Sequence, residues 1–378
     1  MPAAAKAAAE AGAPAARIRA ALLAWFDRER RDLPWRRSRS AYRIWISEVM
    51  LQQTRVEAVV QPYRRFLAKF PSLVSLARAP AADVVAAWSG LGYYRRARLL
   101  HAGARYVVRE HSGRLPHSRE ALERIPGIGR YTASAILSMA WAKREAALDA
   151  NVVRVVARIG GIADPRSATG RSAVEELGAR LVDCDNPGSV NEALMDLGSA
   201  LCTARIARCQ GCPLASCCIA RASGSPLAYA APRQRRPSRV VRVACAVVRR
   251  GDRMLFVRRA ASETLLAGMW ELPTVEIADG EDADAAAALA TLIGQRTGIR
   301  VAVEGPVATV RHDIVGRKIS ALVYTASVPS ARRTARAGAR FLDDAAIAKA
   351  AVPALPVKIL REFAGPVQRR SPSTRGAA

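Results

Sequence analysis

The sequence predicts a multi-domain fold, with an all-α half over residues 17–225 and an α+β half over residues 241–365. Three observations predict it. The chain has 378 residues, too many for one ordinary domain. Apolar residues recur at helical spacing in the first half and at strand spacing after residue 240. Between them, residues 226–240 are rich in Pro and Arg, a linker by composition.

Helical spacing is clearest in ARIRAALLAWF, YRIWISEVMLQ, ADVVAAWSGL and NVVRVVARIGG, and continues in RSAVEELGARL and NEALMDLGSALC. Pro34, Pro71, Pro80, Pro116, Pro126 and Gly127 punctuate these stretches. After the linker, VVRVACAVVRR and DRMLFVRRA read as two strands around a Gly251-Asp252 turn. DAAAALATLIGQRTG reads as a helix and ISALVYTASV as another strand. Residues 1–16 and 366–378 read as disordered tails. No apolar run reaches the roughly 18–20 residues of a membrane span.

The chain carries 59 Lys+Arg against 32 Asp+Glu, a net charge of +27. Such a charge favours a polyanionic partner, because each neutralised phosphate releases a counterion. Only six of these cations are lysines, so a single arginine says little about its role.

Four cysteines fall as Cys202-x6-Cys209-x2-Cys212-x5-Cys218. With no export signal in view, this density points to metal ligation over disulfides. Zinc prefers two close Cys pairs, and only one exists here; a compact four-Cys run favours a 4Fe–4S cluster. Arg205 and Arg208, between the first two ligands, would turn a pinned loop into a phosphate contact. The run LERIPGIGRYTA places Gly127 and Gly129 after a proline and before a helix. Bare amides and a helix start there would bind a phosphate without reading sequence; a plain helix–helix turn is the alternative.

Several segments now add up. LPWR at 33–36, WISEVMLQQT at 45–54, WSGLGYYRRAR at 88–98, IPGIGRYTASAI at 125–136, LDANVVRV at 148–155, NEALMDLG at 191–198 and the cysteine set run in one order. In them the chain resembles MutY-type adenine DNA glycosylases of the helix-hairpin-helix, iron–sulfur superfamily. The resemblance implies monofunctional removal of adenine paired with 8-oxoguanine or guanine in double-stranded DNA, a 4Fe–4S cofactor, and a C-terminal Nudix-like domain. A monomer working in the bacterial cytoplasm at the nucleoid is expected, with no membrane partner.

Breaking an N-glycosyl bond in a duplex requires base extrusion, an acid for the leaving base and a negative charge for the sugar cation. Glu48, in an apolar helical stretch, is expected to have a raised pKa; by resemblance it protonates adenine. Asp149 reads as the N-cap of the helix that follows, its charge kept by capping amides; by resemblance it steadies the sugar cation, oriented by Asn151. A hollow joining Glu48 and Asp149 is expected. Tyr131 stands where strand-cleaving relatives resembling endonuclease III carry a lysine, and a phenol cannot form a Schiff base. The resemblance also places Gln53 and Tyr93 as wedges in the base stack, Leu91 beside the oxidised base, and Arg36 and Glu192 on the extruded adenine.

GMWELP at 268–273 resembles the Nudix fold, but the acidic metal-binding helix is replaced by Thr291-Leu292-Ile293-Gly294-Gln295-Arg296. Hard cations need oxygen donors, so a binding rather than hydrolytic domain is expected. Ile314-Val315-Gly316 stands where the family places Phe-Ser-His against 8-oxoguanine. A thymine or uracil mismatch glycosylase, a Nudix pyrophosphohydrolase fused to a DNA-binding module, and a non-enzymatic DNA-binding protein are the competing readings.

Overall fold

The computed structural model describes residues 15–232, 238–260, 262–263, 266–278, 284–314, 316–328 and 338–363. Most of both expected tails, and Val315, lie outside them. Two compact units emerge: residues 1–84 with 95–234, and residues 85–94 with 235–378. The sequence reading differs at 85–94, which it left in the helical half.

The first unit is helical. Its helices are α1 Ala15–Glu29, α2 Ala41–Leu51, α3 Val56–Lys69, α4 Leu73–Arg78, α5 Ala81–Ala87 (which runs across the boundary at 84/85), α6 Arg95–Glu110, α7 Arg119–Glu123, α8 Arg130–Trp141, α9 Ala150–Ile159, α10 Ala168–Val182, α11 Pro187–Ala200 and α12 Ile219–Ala222. Capping residues set several starts: Ser118, Asp149, Ser167 and Asn186 each accept an N–H of the following first turn. Val152, Val155, Val156 and Ile159 form the apolar face of α9 that its spacing predicts. They are buried with Ile18, Leu22 and Phe26 of α1 and Val190, Leu194 and Leu197 of α11. Among the described residues no helix is long and apolar enough to cross a membrane.

The second unit is a mixed sheet between two helical layers. Its elements are β1 Arg239–Arg250, β2 Arg253–Arg258, β3 Trp270–Glu271, β4 Thr274–Ile277, α13 Ala285–Thr297, β5 Val303–Ile314, β6 Arg317–Ser327, β7 Ala339–Leu342, α14 Asp344–Lys349 and α15 Ala354–Phe363. The strand order is β3-β2-β1-β6-β5, with β4 on β1 and β7 on β2. β1 and β2 turn at Gly251-Asp252 as expected, with Arg250 opposite Arg253. β1 runs parallel to β6 and is covered on both faces. Val241, Val243, Cys245 and Val247 face α15, while Ala244, Ala246 and Val248 face α13. Gly298, at φ +74°, ends α13 as a left-handed cap.

Candidate active site

Helix α2 carries the candidate acid. Residues 44–50 are buried in succession, with Glu48 among them at 5% exposure. Burial pushes the Glu48 carboxyl up to about 7, although the Tyr131 hydroxyl, donating to its Oε2 at 2.5 Å, pulls the other way. The carboxylates of Asp149 and Glu192 add to the rise. A carboxyl at that value can both give and regain a proton near neutral pH. Burial, then the charges of Glu48 and Asp149, raise the Tyr131 phenol well above its usual range, so it remains a donor.

Asp149 caps α9 as its sequence predicts. Its Oδ1 accepts the Val152 N–H at 2.7 Å, and its Oδ2 accepts Asn151 Nδ2 at 3.1 Å. Its pKa lies above the ordinary aspartate value. Burial is the largest influence and raises its pKa, outweighing the hydrogen bonds that favour the charged form. Asn151 is itself oriented, because Arg154 Nη2 donates to its Oδ1 at 2.9 Å. Arg154 also donates to the carbonyls of Gly198 and Cys202, both at 2.8 Å. One guanidinium thereby joins the aspartate's partner to the first of the four clustered cysteines.

Arg36 and Glu192 come together as an ion pair, with Nε 3.4 Å from Oε1. Arg39 reaches the other Glu192 oxygen at 3.3 Å. Asp196, one turn further along α11 and 3% exposed, binds Arg36 at 2.8 Å and also Arg31. This polar wall flanks Glu48, whose pKa responds to both Glu192 and Arg36. Sequence reasoning missed Asp196 and Arg154. The i,i+4 spacing of Glu192 and Asp196 was the available signal for the first.

A cavity of about 680 Å³ opens beside Tyr131 and is lined also by Ser134, Leu148, Val153, Arg130 and Arg171. Neither Glu48 nor Asp149 lines it, so the cavity is not the expected hollow joining the two acids. Tyr131, bonded to Glu48, forms its wall instead.

The glycine turn has unequal members. Gly127 sits at φ +85°, and a Cβ there would lie 2.9 Å from Leu99 Cβ. Gly129 is extended, with open space around it, and caps α8. Gly127→Ala should therefore cost about 1–3 kcal/mol of stability and Gly129→Ala under about 1, read as thermal midpoints of the two variants. Equal midpoints would show that the turn does not need the left-handed glycine.

Gln53, at φ +56°, is exposed just past the end of α2. In the second unit Tyr93 is 41% exposed at φ +46°, whereas Leu91 is buried at 5%. β5 and β6 pair as far as Ile314 opposite Arg317, and Gly316 sits at φ +75°.

Cys202, Cys209, Cys212 and Cys218 line one small cavity with Arg158 and Arg208, and Cys217 does not. Burial pushes the Cys212 thiol up to about 11, and the other three thiols are near enough to act on it. Among the described residues no group of three Cys, His or carboxylate side chains closes on a single point. Four half-buried thiols around one cavity fit a multi-atom cluster, whose corners each take one thiolate. Arg158, 1% exposed, donates to Cys202 Sγ at 3.3 Å and to the Thr203 carbonyl at 2.7 Å. The loop between the first two cysteines closes on itself through Thr203 and Ile206 and leaves Arg205 exposed.

A helical unit with a glycine hairpin, a buried acid and a capped aspartate defines a base-excision repair protein of the helix-hairpin-helix class. Residues 46–180 match the model of the HhH-GPD superfamily base excision DNA repair proteins, and residues 243–362 match a NUDIX domain. The chain is 36% identical to the adenine DNA glycosylase of Mus musculus over 403 residues, 92% of this chain and 78% of that protein. It is 44% identical to that of Homo sapiens over 211 residues, 53% of this chain and 39% of that protein. A solved structure of a thermostable thymine-DNA glycosylase, 29% identical, covers 55% of this chain and 95% of its own, with a TM-score of 0.50. The chain belongs to the adenine DNA glycosylase family.

Proposed function

We propose that this protein is a monofunctional glycosylase that removes adenine paired with 8-oxoguanine or guanine from duplex DNA and leaves an intact abasic site. One observation carries the reading. A buried carboxyl with a pKa of about 7, Glu48, shares a hydrogen bond with a phenol and lies within electrostatic reach of a capped carboxylate, Asp149.

The chemistry follows from those groups. Adenine leaves only after a ring nitrogen is protonated, and Glu48 supplies that proton once the base has swung out of the stack. The C1′–N9 bond breaks with its electron pair going to the base. The positive charge left on the sugar faces Asp149, held by the Val152 amide and Asn151. Water adds to the sugar, and the Glu48 carboxylate takes the proton that water loses. Tyr131 holds one Glu48 oxygen and offers no amine for strand cleavage. The four cysteines suit a 4Fe–4S cluster, which when bound would tie the basic loop at Arg205 to α9 and α11.

The test incubates the protein with three duplexes, carrying adenine opposite 8-oxoguanine, adenine opposite guanine, and thymine opposite guanine. Breaks at adenine in the first two, appearing only after alkali, are expected. Breaks without alkali would contradict the monofunctional reading, and thymine release would favour a different substrate.

A further inference from the structure

Arg96 is 9% exposed at the start of α6, and sequence patterning gave it no role. Its Nη1 donates to the Val49 carbonyl at 2.8 Å, to the Met50 carbonyl at 2.9 Å and to the Gln52 carbonyl. Its Nη2 donates to Thr54 Oγ1 at 3.1 Å. These carbonyls belong to the last turn of α2 and the residue after it. Such carbonyls have no partner within the helix and, when buried, must find one elsewhere. The Leu51 carbonyl is already taken by the Thr54 amide. The cation also opposes the negative end of the α2 dipole.

Glu48 immediately precedes the first of these carbonyls, and Gln53, at φ +56°, immediately follows the last. A left-handed non-glycine residue is strained and persists only when its neighbours hold it. The Gln52 carbonyl and the Thr54 hydroxyl, on either side of Gln53, are both held by the one guanidinium.

We infer that Arg96 is a positioning residue that fixes the Glu48 turn and the Gln53 turn as one rigid piece, so that base extrusion delivers the adenine to the acid in register. This rests on the role proposed above for Glu48 and on the base-stack wedge that the family resemblance implies for Gln53. A lysine is a poor replacement for Arg96, because its ammonium is a single nitrogen and cannot hold the carbonyls and Thr54 Oγ1 together as Nη1 and Nη2 do.

The experiment uses the full-length protein on an adenine:8-oxoguanine duplex with 2-aminopurine next to the adenine. Single-turnover release, the fluorescence rise on binding and the thermal midpoint are read for wild type, Arg96→Ala, Arg96→Lys and Thr54→Val. Displacing reacting groups by about 1 Å costs near 10²-fold, so a loss of that order is expected for Arg96→Ala, with the fluorescence rise reduced. Arg96→Lys should recover little. Thr54→Val, which keeps three of the four contacts, should lose less and serves if Arg96→Ala does not fold. Added guanidinium ion should restore release in Arg96→Ala and leave wild type unchanged. A lowered midpoint with unchanged release and fluorescence would overturn the inference, leaving Arg96 a purely structural cap. Failure of wild type itself to release adenine would instead overturn the proposed function.

Discussion

Glu48→Gln should slow adenine release about 10⁴-fold and, above pH 7, stabilise the folded protein. Both effects have one cause. Burial raises the Glu48 carboxyl to about 7, so in neutral solution the fold keeps a group near its tipping point. Positioned acids contribute about 10²–10⁴-fold, and here the same group also handles the water, so a loss at the upper end is expected. The stability effect has a definite sign. From an ordinary value of 4.5 up to about 7, the native state holds a proton that the unfolded chain gives up, so stability falls as pH rises through that window. Above it, the buried charge costs on the order of 3 kcal/mol. Glutamine carries no such charge and still accepts the Tyr131 hydroxyl. Chemical unfolding at pH 5 and pH 8 should show a gain for Glu48→Gln at pH 8 that shrinks at pH 5. Wild-type release should fall about tenfold per pH unit above about 7. A flat rate across that range, or equal stabilities at pH 8, would remove Glu48 as the acid.

Much of this site was legible because short-range patterns betray it. Asp149 stands directly before an apolar helical face, and α9 begins there with the aspartate as its cap. Glu48 lies in the run 44–50, otherwise apolar apart from Ser47, and a carboxyl so placed is buried. Partners distant in the chain left no such trace. Asp196 meets Arg31 and Arg36 across some 160 positions, and in a chain full of arginine no single one stands out. Arg96 and Arg154 were hidden for the same reason, since their bonds go largely to carbonyls, which every residue has. Asp149 shows a limit of another kind: the cap was read correctly, but its ionisation depends on how deeply the tertiary structure buries it. In the second unit, β1 and β6 stood out through continuous apolar runs. β5 did not, because it lies at the end of the strand order and most of its residues face solvent.

Asp149→Asn should separate catalysis from folding more cleanly than any other change at this site. Asparagine caps helices as well as aspartate does, so the bond to the Val152 amide survives and α9 keeps its start. Burial raises the Asp149 pKa, so removing the charge relieves rather than burdens the fold. Against that, the new amide nitrogen cannot accept from Asn151 Nδ2 as the carboxylate did, so the thermal midpoint should hold rather than rise. Catalysis has no such compensation. A neutral amide cannot balance the positive sugar left when the base departs, and fixed groups aimed at developing charge are worth about 10²–10³-fold each. A loss of about 10³-fold in single-turnover release is expected, with duplex affinity unchanged or tighter because the protein carries one negative charge fewer toward a polyanion. The comparison with Asp149→Ala sharpens the point. Alanine loses both cap and charge, so it should match asparagine in lost activity while also losing about 1 kcal/mol of stability. If asparagine kept activity within a factor of about ten, the charge at this position would serve only to start a helix, and the sugar cation would need another partner.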